Sequence, residues 1–403
     1  MAKIINFNIV FKIISRNLFI ISAALLICAI IGFYFSEEVL PFIYSSLIAL
    51  TTGITFYLFT GRQGADIVMQ QKDAYLTVTV SWLIIGLIGS LPYIFSGSIP
   101  SFTDAFFESV SGFSTTGASI LTDVEILPKS ILFWRSLTHW IGGIGIIVLV
   151  IIIMPSLHIG GYHLFTLESS LREKIQPKIK AVGNRLLFIY ILLTVSEVVL
   201  LVLGKMSLFD SVCHSFGTIA TGGFSTRNSS IINDSPYIQY VIMLFMVLAG
   251  TNFLMHYYLL KKNFSKIREN EELRFYLLMI LLIGSVVTVI LFTKMGKPLE
   301  ESIREAFFQV ISIITCTGFA SADYLLWPAA GWTLIFFIMF LGGSTGSTAG
   351  GIKMARHLIF LKNLSRIFHK INSPNAIFPI RLNKKNLSED INTSILTFIS
   401  VYF

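Results

Sequence analysis

Charge is scarce in this chain: of its 403 residues only 13% are Asp, Glu, Lys or Arg, where an ordinary soluble domain carries about 25%. With 54% hydrophobic residues and 35 phenylalanines, that shortage excludes a water-soluble globular fold. Cysteine is nearly absent as well. Cys28, Cys213 and Cys316 stand in apolar surroundings without paired spacing, which excludes a disulfide framework and a thiolate metal site. No nucleophile and base pair and no metal-binding helix motif stands out, so the chain does not read as an enzyme. A nucleotide phosphate loop is excluded too, because Ile352 follows Gly346 and Gly351 where the motif requires Lys.

What the chain does have is long apolar runs. Stretches of about 20 residues, each enough to cross the hydrocarbon core as a helix, fall near 9–33, 39–60, 75–96, 131–154, 184–204, 236–260, 273–293 and 331–361, giving eight expected spans. The first follows Lys3, Lys12 and Arg16 but lacks a small-residue cleavage site, so it reads as a retained helix. With the N-terminus in the cytosol, the segments 1–16, 61–74, 158–186, 261–274 and 353–390 hold 23 of the 30 Lys and Arg but only 9 of the 22 acids. That bias obeys the positive-inside rule. It also explains the net charge of +8 without nucleic acid as a partner.

One unit recurs three times: a span, a short apolar segment with a polar start, a Gly- and Thr-rich tip, and a second span. The copies read DAFFESVSGFSTTGAS from Asp104, DSVCHSFGTIATGGFS from Asp210 and EAFFQVISIITCTGFAS from Glu305. In each, an acid precedes a glycine by thirteen positions: Asp104 and Gly117, Asp210 and Gly223, Glu305 and Gly318. About ten residues of helix reach only ~15 Å, so each segment enters the membrane and returns. The acids Asp104, Asp210 and Glu305 are expected to cap the helix starts, leaving the negative helix ends aimed at the tips.

Irregular backbone at membrane depth survives only where protein or water satisfies it. Glycines there let several carbonyls converge, as in a potassium selectivity filter. The expected filter is Thr115, Thr116 and Gly117, then Thr221, Gly222 and Gly223, then Cys316, Thr317 and Gly318. Any one of these tips alone would pass for an extracellular turn; three in register point to a pore.

The last span is interrupted by Gly342, Gly343, Ser344, Thr345, Gly346, Ser347, Thr348, Ala349, Gly350 and Gly351. Each glycine costs a helix on the order of 1 kcal/mol relative to alanine, so two half-helices around a loop are expected. Beneath the filter the loop would act as a gate, with Lys353 as an electrostatic barrier. The other reading is a helix ending at Leu341 before a cytosolic linker.

These motifs resemble the bacterial Trk/Ktr/HKT potassium transporters, most closely the Trk-type membrane subunit, over essentially the whole chain. TTGAS, TGGFS, CTGFAS and GGSTGSTAGGIK carry the resemblance. It implies an all-α integral membrane protein of the bacterial cytoplasmic membrane, with a pseudo-fourfold pore and two extra leading helices. It further implies potassium uptake down the electrochemical gradient, no covalently bound cofactor, a homodimer, and a cytosolic nucleotide-binding regulatory subunit. Potassium would be the only bound metal, and Gly117 favours it, since serine at that place accompanies sodium permeation in some relatives. The alternative is a proton- or sodium-coupled cotransporter with Glu197 as coupling group.

The expected organisation is two helices over 1–73, repeats over 74–160, 161–262 and 263–372, and a linker with the start of an incomplete fourth repeat over 373–403. The fourth pore loop of the family is expected to be missing. Glu197 reads either as a partner of Arg135, as part of an ion route, or as a neutral structural group. His158 and His163 read as loop residues rather than a metal site. His214 beside Cys213, and His139 to Val150 with its small residues, read as packing.

Overall fold

A computed structural model describes residues 5–60, 71–148, 175–373, 376 and 378–403. His158 and His163 lie outside them. The described chain is helical apart from one two-stranded hairpin. It falls into two compact units: the first holds the chain up to Gly145 with residues 212–217 and 222–228, the second the remainder.

In the first unit α1 (Phe7–Tyr34) and α2 (Leu40–Leu58) form a hairpin against which α3 (Gln71–Phe95) packs. Apolar side chains give little driving force for helix pairing in lipid, so small residues and hydroxyls do the joining. Ser22 and Ser46 share a hydroxyl contact of 2.9 Å, and the Ser46 hydroxyl donates to the Ser22 carbonyl at 3.0 Å. The short helix α4 (Phe102–Phe113) packs on α3, and α5 (Lys129–Val148) follows its tip.

In the chain that follows, α6 (Ile175–Leu203) leads to the short α7 (Leu208–Ile219), whose middle belongs to the first unit. Next come α8 (Pro236–Ala249) and α9 (Phe253–Leu260), then α10 (Phe264–Glu269), α11 (Glu271–Met295) and the short α12 (Leu299–Ile314). The chain closes with α13 (Ala329–Ile338), α14 (Met354–Asn372), strands β1 (Arg381–Leu382) and β2 (Lys385–Asn386), and α15 (Glu389–Tyr402). The hairpin turns on Asn383 and Lys384, with φ of 51° and 64°, the pair of positive values a tight hairpin needs. Ile359 of α14, Leu382 of β1 and Ile395 of α15 meet in one apolar cluster.

Among the described residues five helices are long and apolar enough to cross a bilayer, or six if one bent pair counts as one. The difference from the eight expected has three local causes. The run 131–154 extends past the described part of α5, and 331–361 is divided by the Gly-rich loop. The run 236–260 is not one helix: α8 and α9 meet at 100°. Gly250 ends α8, and the Asn252 side chain caps α9 by accepting from the Leu254 amide at 2.9 Å, a helix stop followed at once by a helix start.

Candidate functional site: three pore-loop tips and a Gly-rich loop

The helices α4, α7 and α12 have 12, 12 and 16 residues, too short for a roughly 30 Å core at about 1.5 Å per residue. They end at Phe113, Ile219 and Ile314, equivalent positions of the three aligned copies. Each end closes in the same double hydrogen bond. Thr115 N–H donates to Gly112 O at 3.1 Å and Thr116 N–H to Ser111 O at 3.0 Å. In the second copy Thr221 bonds Thr218 O at 3.0 Å and Gly222 bonds Gly217 O at 2.8 Å; in the third Cys316 bonds Ile313 O and Thr317 bonds Ser312 O, both at 2.9 Å. This is the Schellman termination, which places the residue after the cap in the left-handed region.

That residue is ordinarily glycine. Here it is Thr115, Thr221 and Cys316, with φ of 55°, 54° and 56°. Two residues on, Gly117, Gly223 and Gly318 are left-handed as well, at 75°, 80° and 88°. A β-branched residue at positive φ is a strained exception, costing about 1–3 kcal/mol and concentrated at functional sites. Both threonines bear it, and Cys316, which is not β-branched, shares the same left-handed conformation. Among the described residues no hydrogen bond reaches the carbonyl oxygens of 115–117, 221–223 or 316–318. Nine backbone acceptors without donors among the described residues therefore sit at the negative ends of three short helices.

Within the first unit, tip residues approach one another closely. A Cβ on Gly117 would stand 1.9 Å from the Gly222 carbonyl oxygen, and one on Gly222 would stand 2.5 Å from His139 Nδ1. His139 stacks on Phe224 with centroids 4.1 Å apart. The segments leaving the tips are held by a buried ion pair, Arg135 Nε to Glu108 Oε1 at 2.9 Å. Glu108 also accepts from the Ser119 hydroxyl at 3.0 Å and the Ile120 amide at 3.2 Å. Arg135 reaches the Ser225 carbonyl at 3.3 Å and lies 4.1 Å from the Phe224 ring centroid. The partner of Arg135 is thus Glu108 and not Glu197, which is fully buried on α6. Sequence reasoning missed Glu108; its signal was an acid four residues after Asp104, inside an otherwise apolar turn. His214, read as packing, shares a 3.0 Å hydrogen bond with Ser225.

Removing one member of a buried pair strands the other's charge, at roughly 3–5 kcal/mol. Glu108→Ala is expected to lower the thermal unfolding temperature of the purified protein sharply. The double change Glu108→Gln with Arg135→Gln should recover part of the loss, because no charge remains unpaired.

The helix starts differ from expectation in all three copies, and most in the third. Asp104 and Asp210 are the third residues of α4 and α7, while Ser101 and Ser207 are the capping residues, accepting from the Asp104 amide at 3.5 Å and the Asp210 amide at 3.0 Å. Glu305 is no cap. α12 begins at Leu299, about one turn earlier than the register of the other two copies, and its first-turn acids are Glu300 and Glu301. Glu305 instead pairs with Lys297 Nζ, whose contacts to its two oxygens are 2.6 and 2.8 Å.

Beyond the first two tips, the loop carboxylate Asp123 accepts from Asn228 Nδ2 at 2.7 Å and from the Glu125 amide at 3.0 Å. Asn228 in turn accepts from the Val124 amide at 2.8 Å. The Asn228 bond, then the Glu125 amide, holds the Asp123 carboxyl below its ordinary value. A lowered carboxylate stabilises the fold fully above the unfolded pKa of about 3.9 and loses that contribution as pH falls through the folded value. Amide exchange at 124 and 125 should therefore accelerate when pH is lowered from 5 to about 3, after correction for intrinsic rates, and Asp123→Asn should reduce the pH dependence there.

In the second unit the Gly-rich loop folds back on itself, with Leu341 bridged to Ile352, before α14 starts at Met354. It is sewn to several elements. Ser344 N–H donates to Gly250 O at 2.9 Å and Phe253 N–H to Gly346 O at 3.1 Å, both at the α8/α9 break. The Thr348 hydroxyl donates to Ile219 O, the last carbonyl of α7, at 3.0 Å and lies 3.3 Å from Ala249 O. Glu272 on α11, another residue missed from sequence, accepts from the Thr345 amide at 2.6 Å and the Ala355 amide at 3.1 Å. Lys353 donates its ammonium to Ala349 O. A Cβ on Gly351 would be 3.3 Å, and one on Gly350 3.7 Å, from Cys316 Sγ, so the loop lies against the third tip. Gly346 and Gly351 have φ of 77° and 70°, and a Cβ on Gly343 would be 2.9 Å from Gly250 O. The segment is a folded-back loop between α13 and α14, hydrogen-bonded at both ends and along its length and packed against the third tip.

Comparison with known proteins agrees with this architecture. Residues 42–403 match the family model TrkH, described as a cation transport protein. The Trk system potassium uptake protein TrkH of Escherichia coli (strain K12) is 34% identical over 405 residues, covering 98% of this chain and 83% of that protein. The Trk system potassium uptake protein TrkG of the same organism is 31% identical over 378 residues, 92% of this chain and 77% of that one. The crystal structure of the potassium transporter TrkH from Vibrio parahaemolyticus superposes with a TM-score of 0.90 at 30% identity, covering 99% of this chain and 83% of that chain. Short helices with matching left-handed tips, a sewn-in glycine loop, and relatives aligned along nearly the whole chain lead to one assignment: this protein belongs to the TrkH family of cation transport proteins.

Proposed function

We propose that this protein takes up potassium through a pore whose selectivity filter is built from the carbonyls of Thr115, Thr116 and Gly117, Thr221, Gly222 and Gly223, and Cys316, Thr317 and Gly318. The observation that carries this is the set of nine carbonyl oxygens without donors among the described residues, on three tips of one backbone form. Carbonyls in this number replace the hydration shell of an alkali cation. The names of the relatives, potassium uptake proteins and a potassium transporter, support the choice of ion.

No covalent step is needed. The membrane potential supplies about 2.3 kcal/mol per charge per 100 mV, so binding and a gate suffice. Gly342–Gly351 serves as the gate, lying against the third tip, with the Lys353 ammonium as a tethered cation repelling ions that reach it. The bias of lysine and arginine to one set of loops supports a cytosolic N-terminus, and the family resemblance supports a bacterial inner membrane. A homodimer and a cytosolic nucleotide-binding subunit complete the proposal, following the family resemblance.

Expression in a bacterium without its own potassium uptake systems tests this. Growth at limiting potassium, independent of added sodium and of external pH, is expected. Uptake that requires a second ion would replace the pore by a cotransport mechanism.

A further inference from the structure

A groove of about 300 Å³ opens between α6 and α9 in the second unit, lined by Asn184, Arg185, Phe188, Tyr257, Leu260 and Lys261 among others. Its wall is apolar and faces outward, since Phe188 and Leu260 are exposed. One end is cationic. Arg185 Nη1 donates to the Tyr257 hydroxyl at 3.1 Å and its guanidinium lies 5.2 Å from that ring, while Lys261 Nζ lies 6.0 Å from the same ring. Among the described residues no carboxylate pairs with either cation. Both stand at the ends of apolar segments, Arg185 near the start of the apolar stretch Gly183–Leu203 and Lys261 just after α9.

We infer that this groove is a binding site for one anionic phospholipid, its phosphate held by Arg185 and Lys261 and an acyl chain lying along Phe188, Ile189 and Leu260. A soluble anion would leave the apolar wall uncovered, and a zwitterionic headgroup would bring its own ammonium toward two cations that have no carboxylate partner among the described residues. Basic pockets between membrane helices on the cytosolic side suit anionic headgroups; the side is that of the orientation proposed above, and the binding itself does not depend on it. A second basic cavity, along α14, fits less well because Lys362 and Arg366 already pair with Glu271 and Glu389.

The test is native mass spectrometry of the purified protein in micelles containing equal amounts of acyl-matched phosphatidylglycerol and phosphatidylethanolamine. The wild type is expected to retain phosphatidylglycerol at least fivefold over phosphatidylethanolamine. Arg185→Gln with Lys261→Gln should bring that ratio near one, whereas Lys262→Gln, a neighbouring cation outside the groove, should leave it unchanged. Leu260→Trp keeps both cations and fills the groove, so it should reduce total bound lipid even if the double variant folds poorly. Equal retention of the two lipids by the wild type, an unchanged ratio in the double variant, or displacement by millimolar glycerol phosphate would each overturn the site.

Discussion

Gly117→Ser is expected to abolish most of the preference for potassium over sodium, lowering the permeability ratio by about one to two orders of magnitude, or about 1.4–2.8 kcal/mol. Two separate facts press in the same direction. Gly117 is left-handed at φ 75°, a conformation that disfavours any side chain. A Cβ there would lie 1.9 Å from the Gly222 carbonyl oxygen, so that acceptor must move. The change therefore disturbs oxygens of two tips at once. Gly318 provides the control, because it is equally left-handed at φ 88° but nothing lies within 4 Å of its added Cβ. Gly318→Ser should disturb selectivity less than Gly117→Ser. Reversal potentials in mixed potassium and sodium decide the matter, and an unaltered ratio for Gly117→Ser would remove the filter assignment.

Deletion of residues 343–349 is expected to raise flux in the absence of any partner by at least about tenfold, equivalent to about 1.4 kcal/mol of closed-state preference. Glu272→Ala should give a smaller rise. It removes the acceptor of the Thr345 and Ala355 amides but leaves the bonds to Gly250, Phe253 and Ile219. Glu272→Gln keeps an acceptor oxygen and should lie nearer the wild type. Radioisotope uptake into vesicles containing the purified protein measures all three. Equal flux in the deletion and the wild type would mean that the loop obstructs nothing.

The repeat was legible from sequence because the interval from acid to glycine is the same in all three copies, and the helix ends at Phe113, Ile219 and Ile314 fall where that register puts them. Composition made the membrane fold legible as well, since lipid demands long apolar runs. The start of α12 was not legible. The register aligned Glu305 with Asp104 and Asp210, but Pro298 opens the third helix earlier and Lys297 takes the carboxylate. The left-handed Thr115, Thr221 and Cys316 were hidden for a different reason, as no propensity marks a strained residue that its surroundings impose. Glu108 with Arg135 and Glu272 with the loop amides are contacts between distant parts of the sequence, which a single chain without partners in view does not declare. The break at Gly250 left a readable mark in Gly-Thr-Asn, overridden by the apolar run on either side.

The hydrogen bonds that sew the Gly-rich loop have a bearing on how conduction would start. They join it to the α8/α9 break, the end of α7 and the start of α11. Each is worth only about 1 kcal/mol net, yet a buried backbone group left without a partner costs more than its bond contributes. A half-detached loop would carry several such orphans and lie above both end states. As the proposed gate, the loop would then act as a latch with two positions, released at once or not at all. Single-molecule current recordings would show abrupt steps between shut and fully conducting, with no graded levels between.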